Sequence, residues 1–366
     1  MSTVGITGSD GLIGFHLRAY LYGVPGIAIR TANRQTFSDP AQLAEFVGGC
    51  DVIVHLAGVN RANDEEIERQ NPALADELIS AMERAGAPPQ VLFSSSTQID
   101  SESVYGRSKR AATERFRAWS KRSGASFGNL VLPNVFGEFG KPFYNSAIST
   151  FCHQLARGEE PKIIQDREVE WIHAQQVAVR IHQLIEKREA GEFRIAGKAL
   201  KVTEVLRSLQ GMAELYARQQ VPEVRTEFDL LLFNTYRSYL FPTHYPVPLK
   251  LHTDNRGSLF EAIKSENGGQ TFVSSTRPGI TRGNHYHRRK VERFLVIQGE
   301  AVIRIRKLFS GEVREFRVNG DEPRFIDIPT FHTHNITNVG SSGLMTLFWA
   351  HEIFNPGDPD TYAEAV

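Results

Sequence analysis

Short apolar runs alternate with helical spacing through the first half of the chain. Val4–Thr7 leads into a glycine turn, and Leu12–Tyr20 then carries apolar residues at helical intervals. Ile27–Arg30, Val52–Leu56 and Val91–Ser94 predict further short strands, with a helix over Pro72–Ala85 between the last two. That order predicts parallel strands joined by helical crossovers, the doubly wound α/β architecture of a Rossmann fold. Residues 150–240 read as more helical, and Thr203–Arg218 is the clearest amphipathic stretch. The pattern changes at Leu240–Leu249, where Pro242, Pro246 and Pro248 predict a linker without regular structure. Beyond it the period falls to two. Phe294–Ile297, Ala301–Ile305, Arg314–Val318, Phe325–Ile328 and Met345–Trp349 predict short strands with turns at Gly299, Gly311 and Gly320. The expected division is an α/β domain over residues 1–243 and an all-β barrel or sandwich over residues 244–366.

A chain of 366 residues suits two or three such domains. Its 42 basic and 42 acidic residues cancel, which removes the electrostatic footprint of a nucleic-acid binder. No apolar run approaches a membrane span, and the segment MSTVGITGSDG lacks the basic start and apolar stretch of a signal peptide. Two cysteines, Cys50 and Cys152, exclude a disulfide framework and fit a reducing compartment. The expectation is a cytoplasmic enzyme with no nucleic-acid partner and no membrane insertion.

Gly8, Gly11 and Gly14 follow the first strand and open the first helix, with Leu12 and Ile13 between the last two. Glycines there allow a tight turn and close backbone approach, so a pyrophosphate can rest on the free N–H groups of the helix start. A Gly-rich turn alone is weak evidence; the strand–turn–helix context strengthens it. The spacing differs from that of ordinary dehydrogenases and resembles the short-chain dehydrogenases/reductases. Three further segments share the resemblance. His55-Leu56-Ala57-Gly58 is similar to the family's strand-four segment along the cofactor. Ser94-Ser95-Ser96 ends the next strand, and Tyr105-Gly-Arg-Ser-Lys109 matches the family's Y-x-x-x-K. On a helix this spacing stacks the two side chains on one face, and a nearby ammonium favours phenolate, which lets Tyr105 exchange a proton near neutral pH. The resemblance implies that Ser96 holds the substrate carbonyl and that Lys109 also binds the nicotinamide ribose.

Cofactor choice follows from charge. NAD enzymes place an acidic residue after the second strand, whereas here Arg30-Thr-Ala-Asn-Arg34 runs on with no acid until Asp39. Arginines suit a 2′-phosphate, so the expected cofactor is NADPH with Arg34 as its reader. The length beyond Tyr105 resembles the extended branch of the family, whose C-terminal lobe binds nucleotide sugars. Pro133-Asn134-Val-Phe-Gly137 is similar to that branch's turn, and Asn145 and Arg167 lie where it binds the nucleotide diphosphate. One departure stands out: the branch's usual acidic V-D-D element is replaced by Ala174-Gln175-Gln176.

In the second half, Gly279, His285, His287, Glu292 and Gly299 match the first cupin motif. Pro329, His334 and Asn338 match the second, with Phe331 in place of a glycine. Positions i and i+2 of a strand share a face, so His285 and His287 point together. Three imidazoles and a carboxylate suit one divalent ion, zinc above all. A rival reading rests on Asp254-Asn-Arg256-Gly257, Glu261 and Arg282-Gly-Asn-His285-Tyr286, which resemble the metal-free dTDP-4-keto-sugar 3,5-epimerases. There the corresponding histidine is the base, and Arg256 and Glu261 become candidate substrate contacts. His285 is therefore ligand or base, with His287 and Glu292 favouring ligand.

Both halves in this order resemble the capsule-synthesis enzymes of the CapF/WbjC type over essentially the whole chain, as in His55–Arg61, Tyr144–Ser146, Asp254–Gly257, Pro278–Thr281 and Pro359–Tyr362. The resemblance implies a homodimeric, bifunctional enzyme acting on UDP-2-acetamido-2,6-dideoxy-L-4-hexulose. The cupin would epimerise C3 and the reductase would reduce C4 with NADPH. The product would be UDP-2-acetamido-2,6-dideoxy-L-talose, a precursor of N-acetyl-L-fucosamine. An alternative keeps only the reductase active, with the cupin a metal-stabilised dimerisation module. A redox-sensing binding protein is the third possibility, and the intact Ser96, Tyr105 and Lys109 weigh against it.

Overall fold

The computed structural model describes residues 2–86, 88–255 and 257–366. Contacts divide the chain into two compact units, Met1–Thr150 with Ile163–Val205, and Phe151–Lys162 with Leu206–Val366.

The first unit is built on a parallel sheet of β1 (Ser2–Thr7), β2 (Ile27–Ala32), β3 (Val52–His55), β4 (Gln90–Ser96), β5 (Phe127–Leu132) and β8 (Gly191–Arg194), in the order β2-β1-β3-β4-β5-β8. The central strands β3 and β5 are buried throughout, which is why they read as unbroken apolar runs. Helices cover both faces. Leu17 and Leu21 of α1 (Leu12–Tyr22) and Ile181 and Leu184 of α7 (Ala174–Lys187) pack on Val4, Ile6 and Val54. Leu78 and Met82 of α4 (Asp64–Ala85) and Phe116 and Trp119 of α5 (Val104–Ser123) share the other core. The sheet order reverses beside β1, and the crevice beyond the carboxyl ends of β1 and β3 is where such sheets bind ligands. A smaller sheet of β6 (Asn134–Phe136), β7 (Glu168–His173) and β9 (Lys198–Lys201) lies in the same unit.

Helix α4 begins at Asp64 rather than at Pro72. Asn63 Oδ1 accepts from Glu66 N at 2.8 Å, and Asp64, Glu65 and Glu66 place negative charge on the positive helix start. Capping therefore outweighs the expectation that Pro72 opens the helix.

The second unit holds two five-stranded antiparallel sheets. One joins β11 (Val247–Pro248), β20 (Arg324–Ile328), β17 (Glu292–Gln298), β22 (Leu344–Ala350) and β15 (Gln270–Thr276). The other joins β19 (Val313–Asn319), β18 (Glu300–Lys307), β21 (His332–Asn338), β16 (Thr281–Tyr286) and β23 (Tyr362–Ala363). Phe294, Val296 and Phe348 from the first and Ile303, Ile305 and Ile336 from the second form one core. The period-2 pattern predicts β17, β18, β19, β20 and β22 and misses β15, β16 and β21. Histidine, asparagine and threonine occupy much of β16 and β21, so hydrophobic alternation does not mark them.

The proline-rich segment is not a bare linker. Tyr245 and Val247 are buried in the β-sheet core, and β11 pairs with β20. Residues 206–243, assigned by sequence to the reductase, cluster with these sheets. Arg293 grips Asp327 through both oxygens at 2.6 and 2.9 Å, and the Tyr216 hydroxyl donates to the same carboxylate. Arg237 of α9 (Glu227–Leu240) donates to Ile328 O at 2.8 Å, and Asn234 donates to Arg289 O at 2.8 Å.

Candidate functional site

The cofactor turn sits at the switch point of the parallel sheet. Gly8 has φ +66°, and a Cβ there would lie 2.8 Å from Ala57 N; at Gly14 it would lie 2.2 Å from Gly8 O. Both glycines are therefore dictated by close approach, as a phosphate-binding turn requires. Gly11 caps α1 without a side chain, and Leu12 and Ile13 form its first turn, so the helix amides face outward unclaimed by a capping side chain. Leu56 N and Ala57 N both donate to Thr7 Oγ1 at 3.2 Å, which locks the segment through Gly58 against the turn. The residues present fit a dinucleotide. Arg34 is exposed at the first position of α2 (Arg34–Ser38), directly after β2, where an adenosine 2′-substituent would be read.

Ser96 ends β4, and its Oγ accepts from Gln98 N at 3.2 Å. Ser103 caps α5 by accepting from Gly106 N at 3.0 Å, which places Tyr105 and Lys109 one turn apart. Lys109 is buried. Its Nζ donates to Ser94 O at 2.9 Å and stands 4.6 Å from the Phe93 ring centre and 5.8 Å from that of Tyr105. Burial pushes the Lys109 ammonium down to about 8. Burial, with a smaller part from Tyr144, pushes the Tyr105 phenol up to about 12. This corrects the expectation of a ready phenolate: desolvation outweighs the ammonium, and Tyr105 keeps its proton.

Ser96, Asn134 and Arg167 line one cavity of about 750 Å³, together with Asp100 and Arg194. Arg194 forks onto Asp100 at 2.6 and 3.0 Å. Sequence reasoning missed this pair because β8 reaches the cavity from far along the chain and no spacing motif marks it. Asn145 is exposed in the turn before α6 (Ala147–Ala156) and does not line the cavity; its neighbour Tyr144 accepts from Arg61 at 2.9 Å.

In the β-rich unit, His285, His287, Glu292 and His334 offer ligand atoms that all lie within 4.8 Å of one another. His285 and His334 face each other across β16 and β21, Glu292 opens β17, and His287 follows β16 directly. His287 donates from Nδ1 to Asp360 O at 2.6 Å, and His334 donates from Nδ1 to His332 O at 3.2 Å. Nδ1 is thus anchored to a carbonyl in both rings, the arrangement typical of metal-ligating histidines, and Nε2 faces inward; that of His287 stands 3.1 Å from Glu292 Oε2, to which it donates. His334 Nε2 is buried, 3.4 Å from Glu292 Oε2, and makes no hydrogen bond among the described residues. Burial, then His334 and His287, push His285 down to about 3. The donor set fits a divalent cation. Glu261 is exposed and pairs with Lys264 at 3.4 Å, and Arg256 lies outside the described residues.

The first unit therefore has the fold and residue constellation of a short-chain dehydrogenase/reductase, and the comparisons agree. Residues 4–196 match the NAD dependent epimerase/dehydratase family, and residues 252–362 match the polysaccharide biosynthesis C-terminal domain. The chain is 32% identical to the UDP-2-acetamido-2,6-beta-L-arabino-hexul-4-ose reductase of Pseudomonas aeruginosa, over 99% of this chain and 98% of that one. It is 34% identical to the capsular polysaccharide assembling protein CapF of Staphylococcus aureus, covering 100% of both chains with a TM-score of 0.65. The RMD protein of Pseudomonas aeruginosa, solved with NADPH, shares the fold over 58% of this chain and 84% of its own, at 21% identity and a TM-score of 0.53. This chain belongs to the family of CapF-type capsular polysaccharide enzymes.

Proposed function

We propose that the protein is a bifunctional nucleotide-sugar enzyme that epimerises a UDP-2-acetamido-2,6-dideoxy-4-hexulose at C3 and reduces it at C4 with NADPH. The observation that carries the reductase half is Tyr105 above buried Lys109, whose Nζ bonds the carbonyl of Ser94 on the strand that ends at Ser96, and Ser96 opens on the cavity. A nicotinamide bound at the Gly8–Gly14 turn would supply the hydride for the keto carbon. Ser96 Oγ donates a hydrogen bond to the keto oxygen. Tyr105, holding its proton at neutral pH, passes it to that oxygen as negative charge develops. Lys109 keeps a positive charge beneath the phenol and would hold the nicotinamide ribose. Arg167 supplies a cation for the sugar diphosphate, whereas Arg194 is engaged by Asp100.

The C4 ketone also explains why two activities share one chain. It acidifies the C3 hydrogen, whose removal and return from the opposite face inverts C3, and it is then the hydride acceptor. We assign the β-rich unit as a cupin, with His285, His287, Glu292 and His334 holding one divalent ion, zinc by its donor set. Such an ion would supply Lewis-acid stabilisation of the keto oxygen. We put the functional division at residues 243/244, within the stretch between the two matched family segments, although residues 206–243 pack with the β-rich unit. The proposed assembly is a cytoplasmic homodimer. Edge strand β15, whose Phe272 and Val273 are exposed on opposite sides of the sheet, offers it an unpaired edge. Among the described residues no helix is long and apolar enough to cross a membrane.

One observation favours a structural metal instead, with the reductase alone active. Asp360 accepts from His287 through its carbonyl and from the backbone N–H groups of Arg288, Arg289 and Lys290 through its carboxylate. The ligand cluster is thereby tied to the chain's last strand.

Incubation with the UDP-4-keto sugar and NADPH tests the reading. Cofactor oxidation with a C4 hydroxyl and inverted C3 in the product supports both activities. Oxidation with C3 retained leaves the reductase alone, and no oxidation contradicts the assignment.

A further inference from the structure

Glu138, His16 and His173 form a second cluster whose ligand atoms lie within 4.8 Å of one another, and all three side chains have no solvent exposure. Hydrogen-bond direction distinguishes it from the metal cluster. Gln175 N, a backbone donor, gives its proton to His173 Nδ1 at 3.2 Å. Gln175 Nε2 stands 3.1 Å from the carbonyl of His16, which only accepts, so the amide nitrogen is assigned there; the same nitrogen donates to His16 Nδ1 at 3.1 Å. Both rings accept at Nδ1 and carry their protons on Nε2. His173 Nε2 donates to Glu138 Oε2 at 3.0 Å, and His16 Nε2 donates to Glu138 O at 3.1 Å with Oε2 at 3.7 Å. The difference lies at Nδ1, which donates to a carbonyl in His287 and His334 but accepts from an N–H group in His173 and His16.

Burial alone would raise the Glu138 carboxyl, but the Nε2–H groups of His173 and then His16 pull it below its ordinary value. The cluster is thus a buried anion clasped by two donors. Its members come from three places that matter to the reductase. His16 lies on α1, which opens on the cofactor turn. Glu138 follows the turn that carries Asn134, and His173 and Gln175 join β7 to α7. Gln175 belongs to the Ala174-Gln175-Gln176 segment that replaces the usual acidic element. An acid there could not donate to His16 Nδ1, so the carboxylate at 138 and the amide at 175 are complementary.

We propose that Glu138 is a positioning residue: held ionised between His16 and His173, in the tautomers that Gln175 imposes, it fixes the cofactor turn relative to the substrate turn. The kinetic part rests on the reductase reading, whereas the tautomers do not. With UDP-4-keto sugar and NADPH, Glu138→Gln is expected to lower kcat about tenfold or more while changing the KM for NADPH less than about threefold. Gln175→Glu should do the same, and the double variant should lose no more than the worse single one. Unchanged kcat in Glu138→Gln, or losses that add, overturns the proposal. The wild-type protein supplies an independent readout by ¹⁵N NMR of labelled histidine, assigned with His16→Gln and His173→Gln. Both rings should be Nε2-protonated at neutral pH, and an Nδ1-protonated or doubly protonated ring would overturn it even where a variant fails to fold.

Discussion

His285 and His334 stand opposite each other on neighbouring antiparallel strands, with ring centres 4.6 Å apart. Two imidazoles at that distance, with Glu292 Oε2 3.1 Å from His287 Nε2, bring four donors to one point. Removing a cation from such a site leaves buried groups uncompensated. Elemental analysis is expected to find about one divalent ion per chain, reduced by His334→Ala. Chelation should lower the melting temperature. Metal-free protein of unchanged stability would return His285 to the role of base.

Tyr105→Phe removes the proton donor and nothing else from the face shared with Lys109. NADPH oxidation by a UDP-4-keto sugar should fall about 10²-fold or more, with NADPH binding followed by fluorescence largely kept. Turnover near that of the wild type would remove Tyr105 from the mechanism.

The pH profile separates Lys109 from Tyr105. Burial holds Lys109 at about 8 and Tyr105 at about 12, so the group that changes charge first as pH rises is the lysine. kcat/KM for reduction is expected to decline above a pH of about 8, and Lys109→Arg should abolish that limb at whatever rate it retains. Unfolding does not mimic this. The folded-state value lies below the ordinary 10.5, so the unfolded chain binds more protons between the two values. Stability from this group therefore rises with pH there, opposite to activity. A profile flat through pH 9 would contradict the assigned role.

Much of this was legible before the fold was known, because the reductase chemistry lies in short segments with fixed spacing. Gly8 to Gly14, Ser96, and Tyr105 with Lys109 each sit within one strand–turn–helix step. The cluster of His285, His287, Glu292 and His334, a candidate metal site, was legible for the same reason, although β16 and β21 lack the apolar alternation that marks a strand. What remained hidden depends on residues far apart in sequence. Arg194 reaches Asp100 across the cavity, and Glu138 meets His16 from 122 positions away. Capping decided the start of α4 where the proline pattern misled. Desolvation reversed the expected direction at Tyr105, since spacing reports neighbours but not burial. Asn145 followed the family's pattern yet does not line the cavity.

Arg34 is exposed, and its charge has value only when a phosphate meets it. Arg34→Ala is expected to weaken NADPH binding about tenfold or more and NADH binding by less than about threefold, measured by titration calorimetry. Equal losses for the two cofactors would assign the 2′-phosphate to another residue.

The central claim is that one chain works at two adjacent carbons of one sugar. Its most direct test is incubation with the UDP-4-keto sugar in D₂O, without NADPH at first, followed by mass and proton spectra. The account predicts one deuterium at C3 before any cofactor is added, exchange that chelation stops, and hydride from NADPH at C4 afterwards. Reduction at C4 with hydrogen fully retained at C3 would contradict it and leave the β-rich half without catalytic work.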